Sequence, residues 1–185
     1  MSDIRVASRY AKSLIELANE KGVLEQVHND MLLFSKVVSQ NRDFELMLTN
    51  PIIKSDKKLA VLNSIFGGKV QQMTQMFFDI VTKKNRESVL PFMAAEFEKQ
   101  YNEFKGIQVV TVNSAAPLAP AQRDYLIKQL TAETGKIIQL KESVDPSLIG
   151  GFVLRVGDKQ IDSSVKNSLR KLKIDFKDNS YINKL

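Results

Sequence analysis

The sequence predicts two domains of class α followed by α/β: an N-terminal six-helix bundle over residues 1–105 and a small C-terminal mixed α/β module over 106–185. Three observations predict it. Apolar residues recur at three- and four-residue steps through the first hundred positions. At IQVVTV, residues 107–112, the period drops to two and β-branched residues take over. Gly106 stands at the change and marks the boundary.

In the first helix Ala7, Tyr10, Ala11, Leu14, Ile15 and Ala18 share a face, with Ser2 or Asp3 as cap and Gly22 as stop. The second carries Leu24, Val27, Met31, Leu32, Phe34, Val37 and Val38 to about Gln40. A short third, with Phe44, Leu46 and Leu48, ends at Asn50-Pro51, because the residue before proline is pushed out of the helical region. Ser55 or Asp56 is the expected cap of a fourth, with Leu59, Leu62, Ile65 and Phe66 on one face and Gly67-Gly68 behind it. Val70, Met73, Phe77, Ile80 and Val81 mark the fifth, interrupted at Asn85-Arg86. The sixth is expected from Glu87 to Lys105, with Pro91 tolerated in a first turn whose amides lack partners.

After the strand at 107–112, Pro120 opens a helix that Gly135 closes at Thr134, and KIIQLKESV, residues 136–144, reads as a strand. Asp145-Pro146-Ser147 is a turn. Residues 148–156, the pair Gly157-Asp158 and then KQI read as a hairpin with a two-residue turn. Asp162 or Ser163 is the expected cap of a last helix with Val165, Leu169 and Leu172 on its apolar face.

A chain of 185 residues with 43% hydrophobic composition can bury one ordinary core or two small ones. No apolar run approaches the ~20 residues of a membrane span. The opening MSDIRVASRYAK has no apolar signal core, so a cytoplasmic setting is expected. Zero Cys removes disulfides and thiolate chemistry. The net charge of +6 divides into +2 over 1–105 and +4 over 106–185, too dispersed for a nucleic-acid footprint. Lys166, Arg170, Lys171, Lys173 and Lys177 keep a basic nucleic-acid-binding adaptor as the alternative, yet only Phe176 and Tyr181 stand near them for stacking.

No catalytic, cofactor-binding or metal site is expected. His28 is the single histidine and has no second ligand at metal spacing. Asp145, Asp158 and Asp162 cluster in sequence, but each stands at a turn or helix start where a carboxylate is locally useful. Gly150-Gly151 lies in an apolar stretch without a phosphate-loop pattern, so close packing explains it better. The first and fifth helices are more informative. Ala7, Ala11 and Ala18 leave a shallow trough beside Tyr10 and Leu14. On the fifth, Met73, Met76, Phe77, Phe78, Ile80 and Val81 cover more of the circumference than one buried face requires. Two roles stay open for these residues: filling the bundle core, or seating a foreign amphipathic helix.

Three segments carry a resemblance. ASRYAKSLIELANEKG, residues 7–22, is similar to the opening helix of F-type ATP synthase delta subunits and the mitochondrial oligomycin-sensitivity-conferring protein, with its Ala-x-x-Tyr-Ala pattern. NRESVLPF, residues 85–92, resembles the family's junction before its sixth helix. VDPSLIGGFVLRVGDKQIDSSVKNSLRKL, residues 144–172, carries Asp-x-Ser-Leu-x-Gly-Gly, Arg-x-Gly-Asp and Ile-Asp-x-Ser-Val in order. The resemblance runs end to end. It implies a non-catalytic peripheral-stalk subunit, one copy per complex, on the cytoplasmic face of a bacterial plasma membrane through the synthase. It implies that the N-terminal helix of an alpha subunit sits between helices one and five, against Tyr10, Ala11, Leu14, Ala18, Phe77, Phe78 and Val81. It implies that the second module meets the C-terminal ends of the b subunits through Val153, Arg155, Val165, Leu169 and Leu172. On this reading a charge at Ala11 is expected to obstruct docking while the bundle still folds.

Overall fold

The computed structural model describes residues 3–178, with side chains for 3–176; Ser2, Tyr181 and the side chain of Lys177 lie outside the described residues. The chain divides into two compact units, the first ending at Phe104 and the second beginning at Lys105.

The first unit is helical: α1 (Asp3–Glu20), α2 (Leu24–Gln40), α3 (Arg42–Thr49), α4 (Ser55–Phe66), α5 (Gln72–Lys83) and α6 (Leu90–Phe104). The helix expected from Glu87 begins instead as a 3-10 turn over Glu87–Val89, and Pro91 sits in the first turn of α6, where no intrahelical amide is needed. Four phenylalanines, one from each of α2 to α5, build the centre. Phe34 lies 5.4 Å from Phe78, 5.6 Å from Phe66 and 6.2 Å from Phe44, ring centroid to ring centroid, in tilted or edge-on geometry. Such pairs each add roughly 0.5–1.5 kcal/mol beyond the area they bury.

A buried ion pair ties this centre to the α5–α6 junction. Lys58 Nζ on α4 donates to the Leu48 carbonyl at the end of α3 (2.8 Å) and to Glu87 Oε1 (2.9 Å). Both side chains are almost wholly buried. Burial pushes the Glu87 carboxyl up, but the Lys58 hydrogen bond and charge outweigh it and hold the group below its ordinary value.

The second unit comprises β1 (Ile107–Ser114), α7 (Pro120–Thr134), β2 (Ile137–Val144), β3 (Phe152–Val156), β4 (Lys159–Asp162) and α8 (Val165–Asp178). Among the described residues the chain has eight α-helices in all, six in the first unit and two, α7 and α8, that join a mixed sheet of order β2-β1-β3-β4 in the second. β1 pairs parallel with β2 and antiparallel with β3, and β3 pairs antiparallel with β4. Val112 stands opposite Leu154, and these two with Val110, Leu130 and Ile138 form the core.

The strand expected over 148–156 starts only at Phe152. Leu148 belongs to a 3-10 turn, and Ile149 and Gly151 have φ of 68° and 76°, which no strand admits. A Cβ on Gly151 would lie 2.2 Å from the Ser163 carbonyl oxygen, and one on Gly150 would lie 2.9 Å from Val165 Cγ2. The glycine pair thus lets this loop close on the start of α8. The cap of α8 is Ser164, beyond the expected Asp162 or Ser163. Its Oγ accepts from the Asn167 amide at 3.1 Å and donates to Asp162 Oδ1 at 2.7 Å. Asp162 is still in β4, paired with Val153, and so supports the cap from outside.

Candidate partner-binding groove

Packing within the first unit holds α1 and α5 apart. α1 lies mainly along α6, and α5 mainly along α4, with little direct approach between α1 and α5. The Gln100 amide of α6 donates to the Ser8 carbonyl and hydroxyl of α1 at 3.1 and 3.0 Å. At the start of α5, Asp30 reaches over from α2. Its Oδ2 accepts from the Gln71 amide (2.8 Å) and the Thr74 hydroxyl (2.6 Å), a helix cap supplied by tertiary structure. At the far end Asn85 adopts φ of 54° and the Arg86 amide returns to the Val81 carbonyl at 3.1 Å, closing α5.

Between the two helices runs a groove of about 650 Å³. Leu14 and Phe77, both buried, form its floor. Leu17, Met76 and Ile80 stand on its walls with 44%, 52% and 54% of their surface exposed. Tyr10 meets Phe77 edge-on at 6.3 Å, and Arg86 both donates to the Tyr10 hydroxyl at 3.2 Å and lies 5.7 Å above its ring.

Of the residues expected in the trough, Tyr10, Leu14 and Phe77 line this groove. Ala11, Ala18, Phe78 and Val81 do not; each is at most 1% exposed. Phe78 belongs to the phenylalanine centre, 5.6 Å from Phe66. Ala7, Ala11 and Ala18 are buried in the side of α1 that turns into the unit, where small side chains let α6 come close. The helix that settles on the alanine stripe is the chain's own, and with Ala11 buried a charge there is expected to disturb folding. Leu17, Met76 and Ile80, absent from the expected set, are the residues that protrude. The excess apolar circumference of α5 was the signal for Met73, Met76 and Ile80; Leu17 was legible only as an apolar residue off the alanine stripe.

In the second unit Val165, Leu169 and Leu172 lie on α8 with 41%, 53% and 51% exposure. Val153 and Arg155 alternate with core Leu154 on β3 and so take the opposite sheet face; Val153 is half-buried and Arg155 exposed. The three aspartates serve local structure. Asp145 Oδ1 accepts from the Ser147 amide at 3.0 Å and Asp162 Oδ1 from the Ser164 amide at 3.0 Å, and these serine contacts lower both carboxyls. Asp158 sits in the β3–β4 turn. His28 stacks on Tyr101 with centroids 3.7 Å apart and planes 8° from parallel. Burial, with a hydrogen bond to Glu25, pushes the Tyr101 hydroxyl up to about 12. No described helix is long and apolar enough to cross a membrane.

Comparison with known proteins agrees with this architecture. The family model described as ATP synthase delta (OSCP) subunit matches residues 6–176. ATP synthase subunit delta of Cytophaga hutchinsonii is 43% identical over 176 residues, covering 95% of this chain and 96% of that protein. The subunit of the same name from Christiangramia forsetii is 37% identical over 185 residues, with complete coverage of both. In fold, the chain superposes with a TM-score of 0.71 on a chain of the Toxoplasma gondii mitochondrial ATP synthase hexamer, at 23% identity, covering 92% and 96% of the two chains. Family membership leaves nucleic-acid binding without support. A match across nearly the whole chain, at these identities and on this two-unit fold, makes the protein a member of the ATP synthase delta (OSCP) subunit family.

Proposed function

We infer that the chain is a non-catalytic stator subunit of the peripheral stalk of an F-type ATP synthase, restraining the catalytic headpiece against the torque of the central shaft. The observation that carries the partner assignment is the open apolar groove between α1 and α5, in a chain similar to delta subunits from end to end. The six helices of the first unit then act as a clamp on the headpiece, and the groove seats the N-terminal helix of an alpha subunit. Tyr10, Leu14 and Phe77 make the floor, and Leu17, Met76 and Ile80 are the anchors. Each anchor is about half exposed, so covering it contributes about 1 kcal/mol. Desolvated apolar anchors lengthen residence time, which is what a static tether under load requires, whereas exposed ion pairs contribute little.

The second unit takes the C-terminal ends of the b subunits on the apolar side of α8, through Val165, Leu169 and Leu172, with Val153 and Arg155 as sheet contacts. One copy serves each complex, on the cytoplasmic face of a bacterial plasma membrane.

The test is reattachment. Membranes carrying synthase depleted of this subunit are mixed with headpiece and with wild-type or Leu17→Asp/Met76→Asp chain, and sedimented headpiece is measured. Wild type restores attachment; the double variant, folded by circular dichroism, leaves the headpiece in solution. Equal restoration by both would remove the groove from the mechanism.

A further inference from the structure

The rim of the groove carries charge of one sign. Arg9 and Lys21 line it, both exposed, and neither makes an ion pair among the described residues. No Asp or Glu lines it, and the α5 wall is neutral, with Gln71 and Gln72 beside the apolar residues. Arg9, Ser13, Leu17 and Lys21 form a row at four-residue steps on or just past α1. Such a row is the ridge that an adjacent helix packs against. The two cations stand at its ends, twelve positions apart, which corresponds to about 18 Å along a helix.

Resting on the alpha-subunit reading, we propose that the groove selects its occupant by charge as well as by shape. It admits an amphipathic helix whose apolar stripe is bordered, on the side facing α1, by an acidic residue near each end, about twelve residues apart. The apolar floor gives affinity. The cationic rim gives selection: it draws an acidic-flanked helix in and repels a basic amphipathic helix of equal hydrophobicity. An occupant lacking such acids leaves Arg9 and Lys21 at the edge of a water-excluding contact without counter-charge, which weakens the complex.

The test uses the full chain and a synthetic peptide of about the first 25 residues of the alpha subunit from the same synthase, a length sufficient for several helical turns. A second peptide has its Asp and Glu replaced by Asn and Gln. Calorimetric titration is run at about 0.05 M and about 0.5 M salt, between which the Debye length falls from about 14 Å to about 4 Å. Arg9→Gln/Lys21→Gln is expected to weaken the acidic peptide about tenfold at low salt and hardly at all at high salt. The neutral peptide loses the same factor against wild type and nothing further against the variant, the pattern of a coupled pair.

Equal low-salt affinity of the acidic peptide for wild type and the double glutamine variant overturns charge selection while groove docking stands. So does an alpha N-terminal segment with no acidic residue flanking its stripe. Absence of binding to wild type, or binding that Leu17→Asp leaves unchanged, overturns the alpha-subunit reading and the selection rule with it. Thermal melts of all variants establish that they are folded.

Discussion

The two units leave apolar surface uncovered in different ways. The first has a finished centre of buried Phe34, Phe44, Phe66 and Phe78, and its uncovered residues flank a cleft whose walls other helices hold apart. The second buries a thinner core of Val110, Val112, Leu130, Ile138 and Leu154, and its last helix exposes Val165, Leu169, Leu172, Ile174 and Phe176. A concave site between braced helices is ready to receive a ligand without rearrangement. A helix whose apolar residues are exposed has no such preformed seat.

The sharpest way to break this contrast is to attack each unit where it differs. Phe78→Ala, removing a ring from the centre, is expected to lower stability by about 3–5 kcal/mol, read by urea denaturation. A loss near 1 kcal/mol would mean the centre is not close-packed and the groove walls are not braced.

The buried ion pair sharpens the same point. Glu87→Ala leaves the Lys58 ammonium buried beside a single carbonyl and is expected to cost about 3 kcal/mol. The pair also has a pH signature. Because the folded Glu87 carboxyl lies below its ordinary value of 4.5, its contribution is complete above that value and disappears as pH falls through the lowered folded value. Comparing wild type with Glu87→Gln between pH 3 and 7 isolates it: the gap between the two should narrow on acidification. A gap that stays constant would show that the carboxylate charge is not what holds the α5–α6 junction.

The smallest effect belongs to the second unit. Leu172→Ser removes a side chain already 51% exposed and should change the stability of the free chain by about 0.5 kcal/mol or less. A loss of several kcal/mol would place α8 in a core and would end the proposal that it waits for b.

Much of this was legible in order and period. The helical spacing of Leu14, Met31, Phe34 and Phe77 assigned their helices, and the switch to alternation after Gly106 marked the change of architecture, because each element exposes its period directly in the chain. Local chemistry was less so. Ser164 rather than Asp162 caps α8, since the ladder to Val153 keeps Asp162 in β4, and Phe152 rather than Leu148 starts β3, since Gly151 must take a left-handed turn against Ser163.

The sequence by itself determined which residues of α1 and α5 were apolar, the family they belong to, and that α5 carries more apolar surface than one face needs. Only tertiary structure decided which part of that surface is spare. A stripe of alanines is equally suited to the chain's own helix and to a foreign one, and the choice fell to α6 because it is covalently present and pays no association entropy. What remained open was the adjoining edge with Leu17, Met76 and Ile80, where no helix of the unit comes near enough to cover them.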